Sequence, residues 1–88
     1  MSIFVIDVRE PHEYLVGHIK GAINIPSTKL SNDLESFGSI PKDAEIVLYC
    51  RTGARAGKVK YLLDQAGYRN VTNGINIDSV IKAYDQRM

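Results

Sequence analysis

The apolar positions of this chain fall into short runs typical of strands and into sets at helical spacing. An apolar run at 46–49, mostly β-branched or aromatic, is typical of a strand buried on both faces of a parallel sheet. After a short polar loop, apolar residues recur at helical spacing and a glycine follows in the position of a C-terminal cap: Val59, Leu62, Leu63, Ala66 and Gly67. The pattern therefore predicts a strand at 46–49 and a helix from about Ala54 to Gly67.

Strands and helices alternate along the rest of the chain. Further apolar runs predict strands near residues 3–6, 22–25 and 68–72. A proline start and a glycine stop predict a short helix from Pro11 to Gly17. Apolar residues at helical spacing predict a second helical stretch, with Leu30, Leu34 and Phe37 before Gly38. The same spacing predicts a last helix whose core-facing residues are Ile77, Val80, Ile81 and Tyr84. This order predicts an α/β fold with a central parallel sheet of about four to five strands and helices on both faces.

Size and charge narrow the possible functions. A chain of 88 residues with 44% apolar content fits one small domain spanning residues 1–88. The formal charge of +1, with charges of both signs interspersed, disfavours nucleic-acid and anionic-membrane partners.

The single cysteine and two widely spaced histidines lack the paired spacing of a zinc site, so we expect no metal and no cofactor. Without a membrane-spanning run or a secretory signal, we expect a cytoplasmic protein, monomeric or weakly homodimeric.

Cys50 stands where the strand at 46–49 gives way to the following helix, at the edge of the sheet where ligands usually bind. Backbone N–H groups at a helix start lack partners and carry partial positive charge, so they stabilise a thiolate. Arg51 and Arg55 add positive charge, and such surroundings lower a thiol pKa from its usual value of about 8.5. We therefore expect Cys50 to be ionised at neutral pH and nucleophilic.

The alternative is that Cys50 is only a small buried apolar residue at a strand end. The loop composition disfavours that interpretation, because two guanidinium groups close together repel each other unless they bind an anion, and the flexible Gly53 costs conformational entropy on folding.

Three sequence motifs resemble those of the rhodanese-like sulfurtransferases. The run Cys50-Arg51-Thr52-Gly53-Ala54-Arg55 resembles the active-site loop of that family. The segments at 6–9 (Ile-Asp-Val-Arg) and 17–26 (Gly-His-Ile-Lys-Gly-Ala-Ile-Asn-Ile-Pro) resemble its two upstream motifs, in the same order and with similar spacing. Among small single-domain members, the phage-shock type of thiosulfate sulfurtransferase is the most similar in length and layout. Because proteins of that type are exported, the resemblance also allows a periplasmic location if a signal peptide has been removed.

The resemblance implies a rhodanese-like fold and a thiosulfate sulfurtransferase that carries sulfur as a persulfide on Cys50. The acceptor would be cyanide, a cellular thiol or a cysteine of a partner protein. Residues expected to bind the anionic sulfur donor are Arg51, Thr52, Gly53, Ala54, Arg55 and Lys58. Asp7 would brace the loop by pairing with Arg55. Arg9 would pair with Glu13 in a purely stabilising role.

Other functions remain as alternatives. A phosphatase or arsenate reductase is disfavoured, because those enzymes have five residues between cysteine and arginine and this chain has four. A noncatalytic rhodanese-like binding module would typically lack the cysteine, whereas a protein-to-protein persulfide carrier would keep it. A Cys–His catalytic pair with His12 or His18 is disfavoured, because neither histidine is near the loop in sequence.

One segment departs from the family pattern. Members commonly carry a Gly-Gly pair followed by tryptophan after the last strand. This chain has Gly74-Ile75 and no tryptophan, so the departure falls on the acceptor side of the expected pocket.

Overall fold

The computed structural model describes residues 3–30 and 34–84. Within these residues four parallel strands form one sheet in the order β2-β1-β3-β4, which confirms the predicted α/β class. The strands are β1 (Ile3–Asp7), β2 (Ile23–Asn24), β3 (Glu45–Tyr49) and β4 (Val71–Asn73). The two central strands, β1 and β3, pair along their whole length and end side by side, with Asp7 opposite Tyr49. Both strand ends therefore lie at one edge of the sheet.

Three α-helices connect or follow the strands: α1 (Pro11–Val16), α2 (Ala54–Gln65) and α3 (Ile77–Tyr84). Pro11 occupies the first turn of α1, as predicted, and Gly67 follows α2 with a φ of 97°. The helical stretch predicted before Gly38 is instead two short 3-10 turns, Ser27–Leu30 and Glu35–Phe37, with residues 31–33 outside the described residues. The last strand begins later than predicted, because the Tyr68 N–H still donates to the Leu63 carbonyl at the end of α2, at 3.1 Å.

Successive side chains of β3 point to opposite faces of the sheet, and each face is covered by helices. Ile46, Leu48 and Cys50 face α2, where they pack with Ala56, Val59, Leu63 and Phe37. Val47 and Tyr49 face α1 and α3, where they pack with Tyr14, Ile77, Val80 and Tyr84. The sulfur of Cys50 therefore lies on the α2 side of the sheet.

Two apolar residues that indicated the predicted helices are exposed, and one of them, Ile81, is predicted to face the core. Ile81 is 43% exposed, although Val80 beside it is completely buried. Ala66 is exposed, because α2 ends at Gln65 and the chain turns there. No helix in residues 3–30 and 34–84 has the length and apolar run needed to cross a membrane.

Candidate active site

Cys50 is held between β3 and α2, with only 2% of its surface exposed. Its backbone N–H donates to the Ile75 carbonyl at 3.0 Å. The chain then turns at Gly53, whose φ of 92° lies in the left-handed region that favours glycine. This turn brings the Gly53 N–H to 3.1 Å from Cys50 Sγ. Cys50 Sγ therefore accepts a backbone hydrogen bond at the start of α2, as the sequence predicts.

The surroundings of the sulfur favour its charged form. Burial alone raises the pKa of the Cys50 thiol, but hydrogen bonds from the backbone N–H groups of Ala56, Thr52, Gly53 and Arg55 outweigh it. The pKa therefore lies below that of an ordinary thiol. These donors include the first-turn amides of α2, which have no partner within the helix. Cys50 is accordingly prepared to act as a nucleophile.

The predicted pair between Asp7 and Arg55 is wrong. Arg55 instead forms a two-pronged ion pair with Glu13 of α1, with distances of 2.7 Å to Oε1 and 3.1 Å to Oε2. Hydrogen bonding from Arg55 lowers the pKa of Glu13 to about 2. Helix α1 therefore braces the loop, because it places Glu13 against the first turn of α2.

Asp7 pairs with Arg9 rather than with the loop. Its side chain is completely buried and accepts the Arg9 backbone N–H at 2.9 Å and Arg9 Nη2 at 2.6 Å. The same Nη2 group donates to the Gly17 carbonyl at 2.7 Å. The predicted pair between Arg9 and Glu13 is therefore also wrong. Because Arg9 follows Asp7 by two residues at the end of β1, its side chain can turn back over the edge of the sheet and pair with Asp7.

An open cavity of about 390 Å³ lies beside Cys50, which forms part of its lining. Its lining residues come from three segments that meet at the carboxyl edge of the sheet, and they are Arg9, Cys50, Arg51, Asn76, Ile77 and Asp78. Guanidinium groups and a polarised thiol make this cavity suitable for a small anion that reacts with Cys50.

Comparison with known proteins agrees with this geometry. The rhodanese-like domain family matches residues 1–76. The chain belongs to the rhodanese-like domain family.

Its similar proteins include sulfurtransferases. The thiosulfate sulfurtransferase PspE of Escherichia coli is 36% identical over 77% of this chain and 64% of PspE. The probable adenylyltransferase/sulfurtransferase MoeZ of Mycobacterium tuberculosis is 34% identical over 99% of this chain and 21% of MoeZ. A solved structure described as a rhodanese with anions from E. coli superposes with a TM-score of 0.76 at 31% identity, covering 89% of this chain and 91% of the other. The chain thus spans from about a fifth to just under two thirds of these curated relatives' lengths.

The residues predicted to bind the donor do not all line the cavity beside Cys50 in this rhodanese-like domain. Arg51 lines the cavity, whereas Thr52, Gly53 and Arg55 act on the sulfur through their backbone N–H groups. Ala54 begins α2 with an exposed side chain. Lys58 lines a separate groove along α2, because it lies one turn further along the helix.

Sequence reasoning missed the cavity residues Arg9, Asn76, Ile77 and Asp78. The topology could have indicated them, because Arg9 follows β1 by two residues and the others lie at or just before the start of α3, shortly after β4. In a parallel sheet such segments lie together at the carboxyl edge.

The turn between β4 and α3 is tied directly to the loop that follows Cys50 in this rhodanese-like domain. Asn73 Nδ2 donates to the Gly53 carbonyl at 3.0 Å, and Asn73 Oδ1 accepts the Ile75 N–H at 2.9 Å. Ile75 has a φ of 75°, and the Asn76 N–H donates to the Gly74 carbonyl at 3.0 Å across it. A β-branched residue is strained in this conformation. The departure from the Gly-Gly pattern therefore places strain beside Cys50.

Neither histidine lines the cavity. His18 is exposed, stacks on Tyr14 with ring centroids 3.7 Å apart, and has Nδ1 2.8 Å from the Tyr14 carbonyl oxygen. His12 is exposed on α1. These positions agree with the sequence-based preference for a thiolate activated by amides rather than by a Cys–His pair.

Proposed function

We propose that this chain is a thiosulfate sulfurtransferase that holds the transferred sulfur as a persulfide on Cys50. The observation that supports this proposal most directly is the position of Cys50 Sγ. It lies 3.1 Å from the Gly53 N–H at the start of α2, and Cys50 lines an open cavity. A nucleophilic thiolate facing a cavity lined by guanidinium groups suits an anionic sulfur donor.

The first half of the reaction loads the enzyme. The Cys50 thiolate attacks the outer sulfur of thiosulfate, a new S–S bond forms at Sγ, and the original S–S bond breaks. Sulfite leaves with the electron pair of that bond. The amides that favour the thiolate also favour the negative terminal sulfur of the persulfide, which is the principle of an oxyanion hole applied to sulfur.

The second half empties the enzyme. A nucleophilic acceptor attacks the terminal sulfur, the bond to Sγ breaks, and Cys50 leaves as a thiolate. With cyanide as acceptor the product is thiocyanate. A thiol, free or on a partner protein, gives a new persulfide. Storing the sulfur covalently divides one difficult transfer into two easier steps.

Arg51 is the side chain proposed to hold the sulfonate end of thiosulfate. It is exposed on the cavity and forms no ion pair among residues 3–30 and 34–84. The other arginines near the sulfur are already paired, Arg9 with Asp7 and Arg55 with Glu13. The charge of Arg51 is therefore available to a ligand.

The proposal is tested by mass spectrometry and by a steady-state assay. Thiosulfate should add the mass of one sulfur atom to the intact protein, and cyanide should then remove it with formation of thiocyanate. Because the chain has one cysteine, Cys50→Ser should abolish both signals. An unchanged mass without reductant, or turnover that survives in Cys50→Ser, would contradict the proposal. Hydrolysis of an aryl phosphate would favour the phosphatase alternative.

A further inference from the structure

A second cavity, of about 720 Å³, lies between the 3-10 turn Ser27–Leu30 and helix α2. This α2 groove is lined by Ser27 and Thr28 on one side and by Arg55, Lys58, Val59, Tyr61 and Leu62 of the helix on the other. None of these residues lines the cavity beside Cys50. The volume is typical of small-molecule sites, which enclose roughly 300–1,000 Å³. The α2 groove is therefore a candidate ligand site separate from the one at Cys50.

Three residues of α2 give the groove an apolar wall. Val59 is buried and Leu62 is half-buried, and the two lie on one face of the helix because they are three positions apart. Tyr61 beside them is 63% exposed, so its ring is accessible to a ligand. Aromatic rings bind one another by offset or edge-to-face packing. A ligand with an aromatic body would therefore cover this wall.

The charged groups that line the groove are all positive. Lys58 is exposed and forms no ion pair within residues 3–30 and 34–84. Arg55 binds Glu13 through Nη1 and Nη2, which leaves its Nε group without a hydrogen-bond partner in the same part of the chain. No carboxylate of the described residues lines the groove. Because Glu13 offsets the charge of Arg55, Lys58 supplies one net positive charge, which is complementary to a monoanion.

The wall opposite α2 adds a hydrogen-bond donor. The Thr28 hydroxyl already donates to Glu10 Oε2 at 2.9 Å. The Ser27 side chain makes no hydrogen bond with a described residue, so its hydroxyl can donate to a bound anion. The groove thus combines an apolar wall with a few polar groups that fix the orientation of a ligand.

We propose that the α2 groove binds a small organic carboxylate with an aromatic body. The carboxylate binds Lys58 Nζ and Arg55 Nε, and the aromatic ring packs against Tyr61 and Leu62. The ligand is held without reacting, because Cys50 does not line the groove. This site does not depend on the proposed sulfur transfer.

The experiment titrates ¹⁵N-labelled protein with three compounds and follows the amide chemical shifts. 2-Naphthylacetate carries both the ring and the charge, 2-naphthylacetamide lacks the charge, and acetate lacks the ring. 2-Naphthylacetate should bind with a Kd of about 1 mM or lower. 2-Naphthylacetamide should bind about threefold more weakly, the factor expected of one exposed ion pair, and acetate more weakly still. The largest shift changes should fall at Ser27–Leu30 and at residues 58–62.

Two substitutions separate the charge from the ring. Lys58→Gln should bring the Kd values of the two naphthyl compounds to within about 1.5-fold of each other. Tyr61→Ser should weaken both compounds about fivefold without changing the ratio of their Kd values. Lys20→Gln is the matched control, because Lys20 is also exposed and lies outside the groove, and its loss changes the net charge equally. It should leave both Kd values unchanged.

Equal affinity of the unmodified chain for the two naphthyl compounds would overturn the proposal, as would an unchanged ratio in Lys58→Gln. Shift changes confined to residues 76–78 would also overturn it, because they would place the ligand in the cavity beside Cys50. Cys50→Ser should bind 2-naphthylacetate as tightly as the unmodified chain does. A chain that binds this compound at the α2 groove but fails to load sulfur would refute the proposed function alone.

Discussion

The ion pair between Glu13 and Arg55 can be tested by removing a single charge. Glu13→Gln abolishes the two-pronged contact with Arg55, whose distances are 2.7 and 3.1 Å. The glutamine retains an oxygen that can accept the Glu10 N–H, as Glu13 Oε1 does at 3.0 Å. Helix α1 should therefore keep its N-terminal hydrogen bond, and the change isolates the brace between α1 and α2.

The size of the effect follows from the titration of Glu13. Arg55 lowers the pKa of Glu13 from the ordinary 4.5 to about 2, which bounds the contribution of the pair at about 3 kcal/mol near neutral pH. The Arg55 side chain is 33% exposed and that of Glu13 is 17% exposed, so solvent screens part of this energy. We therefore expect Glu13→Gln to lower the free energy of unfolding by about 1–2 kcal/mol at pH 7.

The pH dependence has a definite sign. Because the pKa of Glu13 is lower in the folded chain, the pair stabilises the fold fully above pH 4.5 and loses its contribution as the pH falls through about 2. Urea denaturation at pH 7, 4 and 2 should thus show a difference between the unmodified chain and Glu13→Gln that shrinks with acidity. Asp64→Asn is the control. It removes a carboxylate from the more exposed pair with Lys60, so its cost should not exceed about 0.5 kcal/mol.

A difference that stays constant between pH 7 and pH 2 would refute this account of Glu13. The same conclusion would follow if Glu13→Gln cost no more than Asp64→Asn at pH 7.

Three further changes test the turn between β4 and α3. Asn73→Ala should raise the pKa of the Cys50 thiol and slow its alkylation at pH 7 about threefold, because the Gly53 carbonyl loses its hydrogen bond and the amides around the sulfur loosen. Gly74→Ala should lower the free energy of unfolding by about 1–3 kcal/mol in urea denaturation, since its new Cβ would lie 2.5 Å from Val80 Cγ2. Ile75→Gly should raise that free energy by about 1 kcal/mol in the same assay, because glycine adopts the φ of 75° without strain.

The matched controls for these changes lie nearby. Thr72→Ala alters an exposed side chain of β4, and it should leave the alkylation rate unchanged. Gly17→Ala places its Cβ where no other atom lies within 4 Å, so it should cost much less than Gly74→Ala. An Asn73→Ala variant with an unchanged alkylation profile, a neutral Gly74→Ala, or a destabilised Ile75→Gly would each contradict the geometry described for this turn.

The sequence was sufficient to predict the main features around Cys50. The apolar run of β3 and the helical spacing beyond the loop place the cysteine between a strand and a helix. Local geometry then requires the first amides of α2 to lie close to the sulfur. The motif containing Cys50 also pointed to the family that the comparison identifies.

The charge pairs could not be predicted, because they depend on tertiary packing and on which strand ends are buried. Glu13 meets Arg55 only because α1 packs beside the start of α2, and the two residues are 42 positions apart. Asp7 pairs with Arg9 because the end of β1 is buried, and burial favours the nearest available guanidinium group. The absence of Lys58 from the cavity likewise depends on the direction that α2 takes from the loop.

The burial of Cys50 limits which atoms of this residue other molecules can reach. Because only 2% of the residue is exposed, another protein's thiol has little direct access to Sγ, which disfavours a disulfide between two chains. A sulfur atom attached to Sγ would lie about 2 Å further from the backbone, which is one S–S bond length. Since Cys50 lines the open cavity, a sulfur atom attached to Sγ would be more accessible to other molecules than Sγ itself, which would stay shielded from oxidants.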